Sequence, residues 1–324
     1  MSIVAEFARN LHETSPKVLP RELHPLTWPC AREKATDIRA IIFDVYGTLF
    51  NYWKPEYAVE TSKNEALLQT FRKTINFFGL APYLQEMDPA AKPEKTLWDL
   101  YHGLIAIKHK MLLEKDVEFP EVKIEEVWNA VLLMVKRRGY VYNQTPSGDD
   151  DANARCIAYY YNFNVFNREL YPGVAQALET LKTDNMLLGM VSNAQFYTPI
   201  DLTLLLRDQS NGRIEDMGEI FEPDLVFFSY EYAMAKPSPL LFRKLFDALY
   251  ELQILPEQTL FVGNDLASDI APAQEAGMKT ALFTGDDQCA FTAQAQDRIP
   301  DITFDRWSDL PGRISFFQGQ QRAD

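Results

Sequence analysis

Apolar positions in this chain follow two different periods, and the places where the period changes divide it. Short apolar runs that each end at a polar tip lie at about 38–45, 186–191, 225–228, 258–263 and 280–284. Between the later runs, apolar residues recur every three or four positions over 172–184, 239–250 and 268–277, which predicts helices. Strand and helix in alternation is the pattern of a parallel sheet with right-handed crossovers. Between Asn51 and Glu169 the helical period takes over. Segments 57–78, 94–114, 123–138 and 151–168 carry it, separated by turn signals at Gly79–Pro82, Phe119–Pro120 and Pro146–Asp151. Residues 1–37, with Pro16, Pro20, Pro25 and Pro29, read as an irregular arm on the body of the protein. The predicted organisation is an arm (1–37), an α/β core with a Rossmann-like parallel sheet (38–50 and 170–324), and an inserted helical domain (51–169).

Composition narrows the class. With 324 residues the chain is long enough for a large domain plus a second unit. No apolar stretch reaches bilayer length, and the N-terminus lacks the basic start and apolar stretch of a signal peptide. Cys30, Cys156 and Cys289 are odd in number and far apart, which argues against a disulfide framework and fits a reducing cytoplasm. A net charge of −14 disfavours nucleic acid and anionic membrane as partners. It leaves room for a small anionic substrate, since a few local cations can dominate a cleft. Self-association stays open, with the helical insertion and the arm as its contact surfaces.

Chemistry gathers at the polar tips. The first run ends Ile-Ile-Phe-Asp44-Val-Tyr46-Gly-Thr48, which puts a carboxylate at a strand end, where open α/β sheets place their sites. Such a carboxylate can act as a nucleophile. The second run ends in Ser192-Asn193, whose hydroxyl and backbone N–H groups suit a phosphate or carboxylate oxygen and equally suit a helix cap. The third leads to Lys236-Pro237-Ser238-Pro239, a stiffened segment whose ammonium would stabilise an anionic nucleophile; a surface lysine is the plainer alternative. The fourth ends Gly263-Asn264-Asp265, with Asp269 four residues on. Asp44, Asp265 and Asp269 suit Mg²⁺, which needs only one or two carboxylates besides water; capping the helix near residue 268 is the alternative for Asp265 or Asp269. Metal ligation is favoured, with Asp269 the better candidate of the two.

These four motifs, in this order, resemble the haloacid dehalogenase (HAD) superfamily, over residues 38–50 and roughly 170–290. The resemblance implies that the insertion is a cap closing over the strand ends. It further implies that Asp44 becomes transiently esterified, that Thr48 braces its loop, and that Ser192, Asn193 and Lys236 bind substrate or stabilise charge. Two departures conflict. Phosphatases of the superfamily carry a second Asp two residues after the nucleophile, a general acid–base worth on the order of 10²–10⁴ in rate. Here that position is Tyr46, as in haloacid dehalogenases, whose halide leaving group needs no proton. Those dehalogenases, however, work without metal and hold small neutral residues where Asn264 and Asp265 stand. They also need a cap arginine, and no spacing selects among Arg72, Arg137, Arg138, Arg155 and Arg168. The favoured reading is a Mg²⁺-dependent phosphohydrolase of a small molecule working through Asp44. The alternatives are a metal-independent 2-haloacid dehalogenase, or a non-catalytic binding protein of this fold.

Overall fold

A computed structural model describes residues 2–16, 21–166, 168–184 and 186–317. Residues 17–20, among them Pro20 of the expected arm, and 318–324 of the expected core lie outside them. The described chain forms two compact units.

One unit carries a six-stranded, all-parallel sheet. Its strands are β1 (Ala40–Phe43), β2 (Leu187–Ser192), β3 (Val226–Phe228), β4 (Thr259–Gly263), β5 (Lys279–Phe283) and β6 (Ile302–Phe304), in the order β3-β2-β1-β4-β5-β6. β1 is central, with Ile42 opposite Gly189 on one side and Phe261 on the other. The chain builds outward from β1 to β3, then restarts at β4 on the other flank. Asp44 therefore leaves the sheet at the point where strand order reverses, the place such sheets use for ligands.

Side chains alternate across the sheet as the pleat demands. Ile41, Phe43, Leu188, Met190, Leu260 and Val262 face one core cluster together with Trp307. Ala40, Ile42, Val191 and Phe261 face a second, filled by Leu241, Phe242, Leu245 and Leu249. Both faces are buried, which is why the strand sequences read as unbroken apolar runs rather than alternating ones. The expected helix over 268–277 is instead a π-helical turn, Leu266–Ile270, followed by the short α-helix Ala271–Glu275.

The other unit is helical. It comprises α1 (Ile3–Thr14), α2 (Glu60–Phe78), α3 (Ala81–Met87), α4 (Pro93–Leu113), α5 (Ile124–Lys136) and α6 (Asp150–Val165), together with the segment Gln195–Asp201. Gly79, left-handed at φ 68°, ends α2 by donating its N–H to Ile75. Asp149 caps α6 by accepting from Ala152 N–H.

The irregular arm needs correcting. Ile3–Thr14 is a helix capped by Ser2, and Phe7 packs against Phe78 and Tyr159. Its apolar residues at 3, 4, 7, 8 and 11 already carry the helical spacing; the prolines all come later. Residues 24–32 are an extended strap on the α/β unit, bonded through Leu26 N–H to Thr284, Ala31 N–H to Pro300 and Arg32 N–H to Asp301. No helix among the described residues is long and apolar enough to cross a membrane.

Candidate active site

Four strand ends of the α/β unit bring Asp44, Thr48, Ser192, Lys236, Asn264 and Asp269 into one buried network. Asp44 continues β1 by one residue, donating its N–H to Val262 at 2.9 Å. A tight turn follows, in which the N–H groups of Leu49 and Phe50 both reach Val45 O. Gly47 takes φ 87° there, and a Cβ on it would lie 2.4 Å from Asn264 Nδ2. Glycine is required at 47 because the next motif's side chain occupies that space.

Lys236 Nζ stands 2.6 Å from Asp44 Oδ1 and 2.5 Å from Asp269 Oδ1, all three side chains being almost fully buried. Burial alone pulls the ammonium pKa down. The two carboxylates outweigh it and hold Lys236 well above its ordinary value. Asp269 is pushed the other way from a paired carboxylate, upward, because burial and the charge of Asp44 oppose its ionisation more than Lys236 supports it. Ser192 Oγ donates to Asp44 Oδ1 at 3.0 Å. The Thr48 hydroxyl lies 3.0 Å from Asn264 Oδ1 and only 3.4 Å from Asp44 Oδ2. One oxygen of Asp44 is thus held by a cation and a hydroxyl, while the other meets one long contact.

Asn193 is tied to the third motif. Its side chain clamps the Lys236 backbone, accepting from Lys236 N–H at 2.6 Å and donating to Lys236 O at 3.2 Å. The amide fixes the lysine loop. Tyr46 also does structural duty. Its half-buried ring packs edge-on against Phe50 and Tyr52 at 5.6 and 6.1 Å.

The two acids of the fourth motif divide. Asp265 Oδ1 accepts from Ala267 and Ser268 N–H, a helix cap, while its Oδ2 accepts no hydrogen bond from the described residues. Asp269 uses both oxygens: Oδ1 for Lys236, and Oδ2 for the N–H groups of Asn264 and Asp265 at 3.1 Å. Gly263 makes room for it, since a Cβ there would lie 2.3 Å from Asp269 Oδ2. Both oxygens of Asp269 thus already accept from protein donors, whereas Asp265 keeps Oδ2 open. Among the described residues no three His, Cys, Asp or Glu side chains converge as a ready metal cage. Two open carboxylate oxygens remain, Asp44 Oδ2 and Asp265 Oδ2. Carboxylate oxygens are the donors that a hard cation takes alongside water.

A further cluster went unread in the sequence. Asp286, fully buried, pairs with Arg21 and accepts from Tyr171 Oη at 2.8 Å. Its loop reaches the site through Cys289 O, which accepts from Asn264 Nδ2, and through Phe291 N–H, which donates to Asn264 O at 2.9 Å. Tyr52 stands within electrostatic range of this loop and of the site. Burial first, then Cys289, Asp44, Asp265 and Asp286, drive its phenol pKa far up and keep it protonated. The signal was present in Gly285-Asp286, a fifth apolar run ending at a polar tip.

In the helical unit the arginines separate by partner. Arg72 pairs with Glu94, Arg138 with Glu86, and Arg155 with Asp151 and Glu125. Arg168 is the buried one. It pairs with Asp201, which also accepts from Tyr159 Oη at 2.7 Å, and it lies over the rings of Tyr159 and Phe163 at 5.1 and 5.2 Å.

The family model of the haloacid dehalogenase-like hydrolases matches residues 38–277. A phosphoglycolate phosphatase of Aquifex aeolicus is 26% identical over 273 residues, covering 84% of this chain and 95% of that protein. A glyceraldehyde 3-phosphate phosphatase of Pyrococcus furiosus is 30% identical over 130 residues, which is 40% of this chain and 48% of that one. Among solved structures, a 2-haloacid dehalogenase from Pseudomonas syringae shares the fold at a TM-score of 0.51 and 20% identity, over 85% of this chain and 97% of that one. The parallel sheet and the extent of the family match together make this chain a member of the haloacid dehalogenase-like hydrolases.

Proposed function

We propose that this hydrolase is a phosphohydrolase of a small phosphate ester, acting through Asp44 with Mg²⁺ as cofactor. The observation that carries the reading is Asp265, an additional carboxylate beside Asn264 with one oxygen left open and an open oxygen of Asp44 in the same network. The phosphatase named above, similar over 84% of the chain, supports it. Asp44 and Asp265 would hold the cation, which supplies positive charge for the phosphoryl oxygens.

The chain's own residues do the rest. Lys236 and Ser192 fix one oxygen of Asp44. A carboxylate oxygen of Asp44 bonds to phosphorus as the ester oxygen leaves, giving an aspartyl phosphate. The leaving oxygen takes its proton from water, because Tyr46 offers a weak acid packed between two rings. A second water then cleaves the aspartyl phosphate, releasing phosphate and restoring Asp44. Lys236 offsets the charge that grows on the phosphoryl group.

Tyr46 favours a second reading, metal-independent dehalogenation, in which Asp44 displaces halide from carbon and water hydrolyses the ester. Phosphate release from p-nitrophenyl phosphate and halide release from 2-chloropropionate, each with Mg²⁺ and with EDTA, separate the two. Phosphate release abolished by EDTA is expected; halide release indifferent to EDTA would overturn the proposal. Tyr46→Asp is expected to raise phosphatase turnover, by restoring a carboxylate proton donor.

A further inference from the structure

The α/β unit has a cavity of about 290 Å³, lined by Asp265, Ala290, Phe291, Thr292, Ala293 and Gln294. Phe291 is 46% exposed. Its backbone is nonetheless fixed on both sides, donating to Asn264 O and accepting from Leu266 N–H at 3.0 Å. The loop before it is equally tied. Cys289 and Ala290 donate to Asp286 O, and Asp286 is itself locked by Arg21 and Tyr171. The wall is therefore built in advance, and a large aromatic face is held at the edge of the proposed catalytic network rather than left on a loose loop.

We infer that this cavity receives the organic part of the substrate and that Phe291 selects it as an uncharged group with an apolar face. The inference rests on the phosphohydrolase reading and names the substrate class for it. Chemistry decides the class. The described lining offers a ring, two alanine methyls and two neutral polar side chains, and the one charge among these residues is the Asp265 carboxylate. Among the described lining residues no basic side chain is present to receive a second carboxylate or phosphate, and the Asp265 carboxylate is assigned to the cation. An aryl or alkyl ester gains ring contact there, whereas a doubly anionic ester gains none.

The test is calorimetric and uses the wild-type protein with Mg²⁺ and three phosphonates, whose carbon–phosphorus bond an Asp44 attack does not break. Benzylphosphonate is expected to bind about threefold to tenfold more tightly than methylphosphonate, the gain of one aromatic contact. Phosphonoacetate, with its second charge, is expected to bind no more tightly than methylphosphonate. Phe291→Ala is expected to erase the benzyl advantage and leave methylphosphonate unchanged; Phe291→Trp is expected to keep it. The inference is overturned if benzylphosphonate has no advantage, if the advantage survives Phe291→Ala, if phosphonoacetate binds most tightly, or if none of the three binds. Whether Asp44 becomes phosphorylated during turnover is a separate readout, so the pocket can fail while the phosphohydrolase stands.

Discussion

Lys236 Nζ lies 2.6 Å from Asp44 Oδ1, an ion pair buried in a protein of net charge −14. The same ammonium holds Asp269 at 2.5 Å, so one cation serves two carboxylates away from solvent. Removing it leaves uncompensated buried charge. Lys236→Met is expected to cost roughly 3–5 kcal/mol of stability, read from urea midpoints. The raised pKa of Lys236 means that its stabilisation is complete below the ordinary lysine value of 10.5 and is lost as pH rises through the higher folded-state value. Above the raised Asp269 value of about 7 and below 10.5 the wild type should therefore show its advantage over the variant. Equal midpoints would contradict the pairing.

Gly263 and Gly47 are spaces into which site side chains fit. Gly263→Ala would place a methyl 2.3 Å from Asp269 Oδ2, against a side chain that is bonded on both oxygens. A loss of about 1–3 kcal/mol is expected, the usual range for overpacking. Gly47→Ala adds backbone strain at φ 87° to its clash with Asn264 and is expected to lose at least as much. Thermal melts of both variants check this; an unchanged Tm for Gly263→Ala would show that Asp269 is free to move.

Lys54, in the helical unit, donates to Asn164 O at 2.9 Å. Burial, with Glu56 partly opposing it and Lys73 and Arg168 adding to it, lowers its pKa to about 8. Between pH 8 and 10.5 the unfolded chain holds this proton and the folded chain does not, so the Lys54 contribution to stability rises with pH across that window. Carbon-13 methyl-lysine NMR should show one resonance, absent in Lys54→Arg, that titrates near pH 8. A midpoint in the ordinary lysine range would contradict the assignment.

The three cysteines are expected to differ in reactivity. Cys30 is exposed, while burial pushes the thiols of Cys156 and Cys289 up to about 11 and about 12. Ellman's reagent at neutral pH should modify Cys30 in the native protein and all three after unfolding. Fast native reaction at Cys289 would mean that the loop around Asp286 opens.

The parts of the site legible in the sequence were those that a strand end announces locally. Asp44, Ser192, Lys236 and Asn264–Asp269 each follow an apolar run, because a strand buried on both faces leaves a sharp boundary at its polar tip. What each group touches was not legible, since the partners lie far along the chain. Asp265 and Asp269 are equivalent by spacing, yet one caps a helix turn and the other is filled by Lys236 and two backbone amides. Asn193 carries no sign that its amide folds back onto a lysine 43 positions later. Arg168 could not be chosen over four other arginines without Asp201, which comes from the separate segment 195–201. The turn signal at Gly79–Pro82 was read correctly but hid α3, for which Pro82 is a suitable starting residue.

The most direct measurement of the central claim is the mass of the peptide containing Asp44 after an acid quench during turnover of p-nitrophenyl phosphate with Mg²⁺. The expected result is one added phosphoryl group on Asp44, absent in Asp44→Asn together with phosphate release. Undiminished phosphate release by Asp44→Asn, or turnover with no phosphoryl group on residue 44 at any quench time, would contradict it.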